Sequence, residues 1–396
     1  MKKHISICLF TFVLILCFAS FLFIPVLYSA TAQSLASIFK SGKVRFVQDL
    51  VITDEELPEE VYFQNPRGIA MHSTGNIFVS DIDAHNIKIF NPAGKLIKVV
   101  GRQGQGPGDF NSPSFIDIVG DRLIVWEVIN RRFSILDENG RFIKSIPNSP
   151  EIGRPEGMKA LPDGRVILMT EMQVEINKVL QQWYRLFLLS SDLEILKTIY
   201  SVKLEIRKRI TEPIRMYVPQ PYTPCVYWDT TQDGLIILGC SDKYEIEVHD
   251  PDKGKLYSFS HDYQPIEVND EDKKLHFSTF TIIFWKGNTK ETKKGAPDYV
   301  KNNTSFPKYK PAFENIISDY EGNIWVRPYN KNREVEEQFF DVFDKKGKFI
   351  QSVEIFGDSS FPSPSFKVTR IKNKTFWKIE TGDDGFYKIV RYKISN

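Results

Sequence analysis

The chain repeats itself at a period of about 45 residues, and that period restricts its fold more than any other feature. Each unit opens on a proline followed by a short apolar segment: Pro66-Arg67-Gly68, Pro113-Ser114-Phe115, Pro155-Glu156-Gly157, Pro224-Cys225-Val226, Pro311-Ala312-Phe313 and Pro364-Ser365-Phe366. A turn, usually with glycine, leads to a second apolar segment, such as Gly75-Asn76-Ile77-Phe78-Val79 or Gly322-Asn323-Ile324-Trp325-Val326. A third segment alternates, as in Ile87-Lys88-Ile89-Phe90, and another glycine turn brings in a fourth, as in Gly140-Arg141-Phe142-Ile143-Lys144. Period-two alternation bounded by Gly, Asp and Asn is the pattern of antiparallel strands joined by hairpins. Four such strands make one propeller blade. Six openings predict an all-β, six-bladed β-propeller of four-stranded antiparallel blades over residues 42–396.

The sixth unit is one strand short. Residues 43–51 form a spare strand ahead of the first unit, and we expect them to pair with 387–393 as the outer strand of the last blade. That pairing joins the two chain ends and removes exposed edges.

Hydrophobic residues make up 42% of the sequence and charged residues 26%, which excludes disorder and a polytopic membrane protein. The 52 basic and 50 acidic residues nearly cancel, so nucleic acid is not an expected partner. Met1-Lys2-Lys3 precedes an apolar run over residues 5–28, and Ala30-Thr31-Ala32 follows. Residues 1–32 thus read as a signal peptide cleaved at a small-x-small site, or as an N-terminal membrane anchor. Leu16 before Cys17 is too bulky for a lipoprotein signal. Both readings place the remainder outside the cytoplasm: periplasmic, secreted, or tethered through 5–28 and facing outward.

Beyond residue 33 only Cys225 and Cys240 remain, which excludes a disulfide-stapled scaffold and a four-cysteine zinc site. Cys225 starts the first strand of the fourth unit and Cys240 ends the second. A disulfide and a pair of buried free thiols are both open, because the choice depends on the register set by the turn near Gln232-Asp233-Gly234.

The junction Gly101-Arg102-Gln103-Gly104-Gln105-Gly106-Pro107-Gly108-Asp109-Phe110-Asn111-Ser112-Pro113 resembles the interblade linker of NHL-repeat six-bladed propellers. Val79-Ser80-Asp81 with Asn86 to Phe90, and Val125-Trp126-Glu127 with Arg132 to Ile135, are similar to that repeat's second and third strands. The likeness covers residues 62–147 in motif and 42–396 in architecture. The fifth unit also resembles the exported propellers of bacteria. The resemblance implies a rigid disc with a binding face and implies no reaction.

The candidate ligand-binding residues sit on one face, because fourth-to-first and second-to-third connections emerge together. Arg67 and Glu156 follow opening prolines at the channel mouth, and Arg102, Glu127, Arg131 and Arg132 share their side. Asp81, Asp83, His85 and Asn86 form a polar cluster that either closes a turn or offers oxygens to calcium. Opposed charges at the mouth read either as a grip on an anionic ligand or as structural ion pairs. The glycine run 101–108 lacks the spacing of a phosphate loop and reads as a linker.

Regucalcin-like lactonases hold a metal with scattered acids, but their Glu-Gly-Pro opening is absent here, where Asn65-Pro66-Arg67-Gly68 stands. No catalytic residue, metal ligand or cofactor is therefore assigned. Insertions at 202–223 and 264–310, with extra length at 171–183 and 328–338, carry Lys, Arg and aromatics. Such a rim reads either as a surface for an acidic glycan, an anionic peptide or a membrane, or as a solvated lysine-rich face. The sequence thus reads as a monomeric, non-catalytic binding module of the cell envelope, for a glycan, peptide or protein. The alternative is a metal-assisted hydrolase or lyase of the lactonase-like type acting in the central channel.

Overall fold

The computed structural model describes residues 34–395 apart from 178, 213–215, 287–288, 330–337, 358–369, 373 and 383–384. The leader, the opening Pro364-Ser365-Phe366 and most of the 328–338 segment lie outside the described residues. A short helix, α1 (Leu35–Phe39), precedes β1 (Lys43–Ile52). Blade 1 comprises β2 (Pro66–Met71), β3 (Ile77–Asp81), β4 (Asn86–Phe90) and β5 (Leu96–Val100). Blade 2 comprises β6 (Pro113–Val119), β7 (Arg122–Glu127), β8 (Arg132–Asp137) and β9 (Phe142–Pro147). Blade 3 holds β10 (Arg154–Ala160), β11 (Val166–Ile176), β12 (Val179–Leu189), β13 (Ile195–Ile210) and a fifth strand, β14 (Met216–Pro219).

Blade 4 is β15 (Val226–Thr230), β16 (Ile236–Cys240), β17 (Glu245–Asp250) and β18 (Gly254–Ser260). An insertion follows, with helix α2 (Asp270–Thr279), the hairpin β19 (Thr281–Lys286) and β20 (Thr289–Lys294), and helix α3 (Asp298–Lys301). Blade 5 is β21 (Phe313–Ser318), β22 (Ile324–Pro328), β23 (Gln338–Phe343) and β24 (Phe349–Gly357). Blade 6 is β25 (Arg370–Lys372), β26 (Thr375–Thr381), β27 (Tyr387–Ser395) and, outermost, β1.

Alternation along these strands sends apolar side chains into the gaps between blades, and the core is a ring of interblade clusters. Phe78, Ile87 and Ile89 of blade 1 meet Ile116, Leu123 and Val125 of blade 2. Further clusters join blades 2 and 3, 3 and 4, 4 and 5, and 5 and 6. Trp377 and Ile389 of blade 6 then pack with Ile69, Ile77 and Phe90 of blade 1, which closes the circle of six.

The spare strand pairs as expected: Val47 lies opposite Lys393, Val51 opposite Val390 and Ile52 opposite Ile389, antiparallel. Its first residues also pair in parallel with blade 5, Lys43 opposite Glu354 and Phe46 opposite Gly357, which the repeat does not foretell. One strand therefore covers the outer edges of two blades.

The described parts of the 171–183, 202–223 and 264–310 insertions form strands and helices. The 171–183 stretch lengthens the β11–β12 hairpin, whose last pair is Ile176 and Val179. The 202–223 stretch is mostly strand: β13 runs on to Ile210 and β14 folds back on it. The 264–310 insertion packs against that extension through Ile210, Val218, Ala296 and Val300, with Phe277 and Phe280 beside them. Gln220 Oε1 accepts from the Ser305 amide at 2.7 Å, a second tie between the two insertions. Strand order puts both on the face where the inner strands begin, the face that carries Arg67.

Candidate functional site at the channel mouth

The inner strands are irregular at the same place. Pairing slips between Pro66 and Gly68, Pro113 and Ile116, Pro155 and Gly157, and Phe313 and Asn315. In blades 1 to 3 the slip starts at a proline, which has no amide to give to the ladder. A bulged residue is unpaired and its side chain is re-aimed. The residues set free are Arg67, Ser114 and Phe115, Glu156, and Glu314. Arg67, Phe115 and Glu156 line the mouth of the central channel, whereas Glu314 lies 3.9 Å from Arg327.

Three adjoining cavities meet here. One of about 410 Å³ runs down the channel past Arg67, Phe115, Glu156, Tyr184, Tyr227 and Trp228. One of about 420 Å³ opens towards blade 6 at Ile379, Thr381 and Tyr387. The third, about 870 Å³, lies by the blade 3 extension between Arg131, Gln173, Gln182, Gln220 and Cys225. Arg154 borders all three. Its Nη2 lies 2.6 Å from Glu156 Oε1 and 2.8 Å from Glu171 Oε2. Burial pulls the Arg154 guanidinium down, but Glu156 and Glu171 outweigh it and hold it above its ordinary value. Tyr184 is raised, chiefly by burial and then by Cys225, Glu171 and Glu156, so it stays a neutral hydroxyl.

Arg67 and Glu156 thus stand where the sequence places them, and Arg131 is exposed beside the third cavity. Among the described residues no hydrogen bond or ion pair engages the guanidinium of Arg67 or of Arg131. The other candidates do not face ligand space.

Asp81 is fully buried and receives the amides of Gln64 and Asn65 at 2.9 Å, with the Lys88 ammonium at 2.8 Å. Glu127 holds the same position in blade 2, fully buried, and receives the Asn111 amide at 3.0 Å and Arg132 Nε at 2.7 Å. Each carboxylate ties down the connection that feeds the blade's inner strand. His85 is likewise structural: its Nδ1 accepts from the Ser112 amide at 2.9 Å, with φ of 54°. Arg102 projects from the linker and pairs with Asp109 at 3.1 Å, away from the three cavities.

The linker is held by its own geometry. Gly101 has φ of +86°, and a Cβ there would come within 2.2 Å of the buried Phe110 ring. Arg132 donates to the carbonyls of Gln105, Gly106 and Asp109.

Sequence reading missed Arg154, Glu171 and the channel floor. Pro155 pairs with Thr170, so Thr170 takes the position of Asp81 and Glu127, and the acid is displaced by one residue to Glu171. Glu171 lies directly opposite Arg154, and its carboxylate goes to that guanidinium instead of to backbone amides. Deeper in, Asp229 is paired with Lys159 and receives the Ser318 amide at 2.9 Å, while Asp117 receives the Ala160 amide at 2.8 Å. Each of these acids bridges to the next blade. Among the described residues no group of three or more His, Cys, Asp and Glu side chains is arranged to hold a metal ion.

The cysteines are both free thiols. Val226, not Cys225, lies opposite Cys240, so the two cysteines are one residue out of register and project to opposite faces of the blade. Cys225 instead faces Ser241, whose Oγ accepts from the Cys225 amide at 3.0 Å. The open choice between bridge and thiols falls to thiols for this reason.

Comparison with known proteins returns the fold. The model of the DUF5128 family, described as a 6-bladed beta-propeller, matches residues 56–118, which span blade 1 and the start of blade 2. It names the propeller and not the NHL repeat. No curated protein matches the sequence.

A protein of Bacteroides fragilis described as exported superposes with a TM-score of 0.50 at 10% identity, covering 89% of this chain and 95% of its own. A DUF4221 family member from Bacteroides vulgatus has a TM-score of 0.47 at 11% identity, covering 90% and 99%. A calcium-binding protein, regucalcin, from Agrobacterium tumefaciens has 0.41 at 10% identity, covering 88% and 96%. At these identities the likeness is one of fold alone.

Proposed function

We propose that the protein is a non-catalytic binding propeller acting outside the cytoplasm at the cell envelope, and that its ligand seats in the channel mouth. The observation that carries this reading is Arg67: a bulge turns its guanidinium into a cavity where no described residue engages it. A structural charge would be expected to have a partner, as Asp81, Glu127 and Asp229 do. Three confluent cavities beneath a built rim supply the concave setting that small-ligand sites favour, with its apolar part in the channel.

The extracytoplasmic placement rests on the 1–32 leader. Among the described residues no helix is long and apolar enough to cross a membrane. The metal-assisted hydrolase reading needs acids free to converge on an ion, and the described channel acids are committed to Lys159, Arg154 or backbone amides.

The test is a thermal-shift screen of purified protein against pooled acidic glycans, short peptides and lactones, with and without calcium. A ligand that raises the melting temperature of the wild type but not of Arg67→Ala supports the reading. Calcium-dependent lactone turnover overturns it.

A further inference from the structure

The mouth carries charges of both signs, and their imbalance names a class of ligand. On one side stands Arg67, exposed and engaged by no described residue. On another, one guanidinium nitrogen of Arg154 serves two carboxylates, Glu156 and Glu171. Arg154 is 62% exposed, whereas the two acids are 15% and 8% exposed. One positive charge cannot neutralise two, so this trio carries a net negative charge close to a low-dielectric wall. That side of the mouth therefore attracts a further cation. A simple anion drawn to Arg67 would meet Glu156 and Glu171. A simple cation drawn to the acids would meet Arg67. A molecule with both charges satisfies both sides.

The space between is apolar and of modest size. Phe115, Met158, Met169, Tyr184, Tyr227 and Trp228 line the 410 Å³ cavity. That volume suits a dipeptide. Asn315 belongs to the same lining, and its Nδ2 is buried with no hydrogen-bond partner among the described residues. A buried amide donor left unmade is expensive, and a peptide carbonyl would satisfy it.

We propose that the channel mouth takes a short zwitterionic peptide with apolar side chains. Its carboxylate sits on Arg67, its ammonium against Glu156 and Glu171, and its peptide carbonyl within reach of Asn315. This inference rests on the binding-site reading and names the ligand class.

The experiment is titration calorimetry with leucyl-phenylalanine, its N-acetyl derivative and its C-terminal amide, on wild type and two variants. Wild type binds the free dipeptide, and each blocked form binds about tenfold more weakly or worse. Arg67→Ala no longer distinguishes acid from amide but still rejects the N-acetyl form. The double variant Glu156→Gln, Glu171→Gln shows the reverse. Conservative Gln replacements and thermal melts of every variant separate lost binding from lost folding.

Equal binding of blocked and free dipeptide, or no binding of the dipeptide, overturns the zwitterion. If an acidic glycan still raises the melting temperature through Arg67 in that case, the binding-site reading survives alone. If no pooled ligand does so, both fall.

Discussion

Phe46 packs edge-on against Phe376, ring centroids 4.8 Å apart, so the first strand of the chain is anchored in the core of the last blade. Phe46 is 1% exposed, and its neighbours include Tyr392 and the blade 5 side chains Val353 and Ile355. Phe46→Ala leaves a cavity at the closure and should cost about 3–5 kcal/mol. Deleting residues 34–52 should go further and expose both β24 and β27 as free edges, with aggregation as the visible result. Urea melts and light scattering check both outcomes, and an unchanged melting temperature in the truncation would refute the closure.

The same seam should be sensitive to acid. Asp49 on β1 lies 2.7 Å from Arg391 Nε and 2.6 Å from Lys393 Nζ on β27. Partial burial pushes its carboxyl up, but the bonds to Arg391 and Lys393 outweigh this and hold it below the usual carboxylate range. A carboxyl with a depressed folded-state pKa stabilises the fold above its unfolded value, near 3.9. That contribution is lost as pH falls through the lower folded value. Stability should therefore decline below about pH 4, and Asp49→Asn should flatten this part of the curve while lowering stability at neutral pH. Denaturant melts from pH 2 to pH 7 read the difference.

Blade 1 depends on a dry ion pair. Lys88 and Asp81 are 1% and 0% exposed, 2.8 Å apart. Lys88→Met would leave a buried carboxylate without its cation, a loss of about 3–5 kcal/mol. Adding Asp81→Asn should recover part of the loss, because the amide oxygen still accepts from the Gln64 or Asn65 backbone without carrying charge. A double-mutant cycle by urea unfolding measures the coupling, and additive effects would show that the pair contributes nothing.

The blade pattern was legible because turns and alternation are local. Gly75, Gly164 and Gly322 all have positive φ at the turn between first and second strands, which the sequence marks directly. The NHL-like motif fades after residue 147 for a structural reason. The buried acid that ties down the inner-strand connection is Asp81 in blade 1 and Glu127 in blade 2. In blades 3 and 5 the paired positions hold Thr170 and Pro328, opposite Pro155 and Phe313.

The same motif misled the reading of the site. Asp81 and Glu127, both candidates for the ligand face, are buried caps, which for Asp81 is the turn-closing alternative. Arg154 and Glu171 were missed because the acid of blade 3 stands one residue later than Asp81 and Glu127, where it lies opposite the residue before the proline and not opposite the proline itself. The strand character of 202–210 was missed because its partner is the lengthened β12, which packing and not periodicity selects.

The last prediction concerns the thiols. Burial pushes Cys240 up to about 12, with Asp242 and Cys225 as lesser influences, so the folded protein holds it as an unreactive thiol near neutral pH. The register that pairs Val226 with Cys240 separates it from Cys225 by one position and one face. An oxidising compartment therefore does not suffice to join them without a register slip that would turn every side chain of β15 over. Unfolding protein that lacks residues 1–32 without reductant should yield two alkylatable thiols by mass spectrometry, and Cys240 should label slowly at pH 8 while the protein is folded. Reductant should leave the melting temperature unchanged. A non-reduced protein that takes up no alkyl group after unfolding would mean that the β15–β16 register differs from the one described.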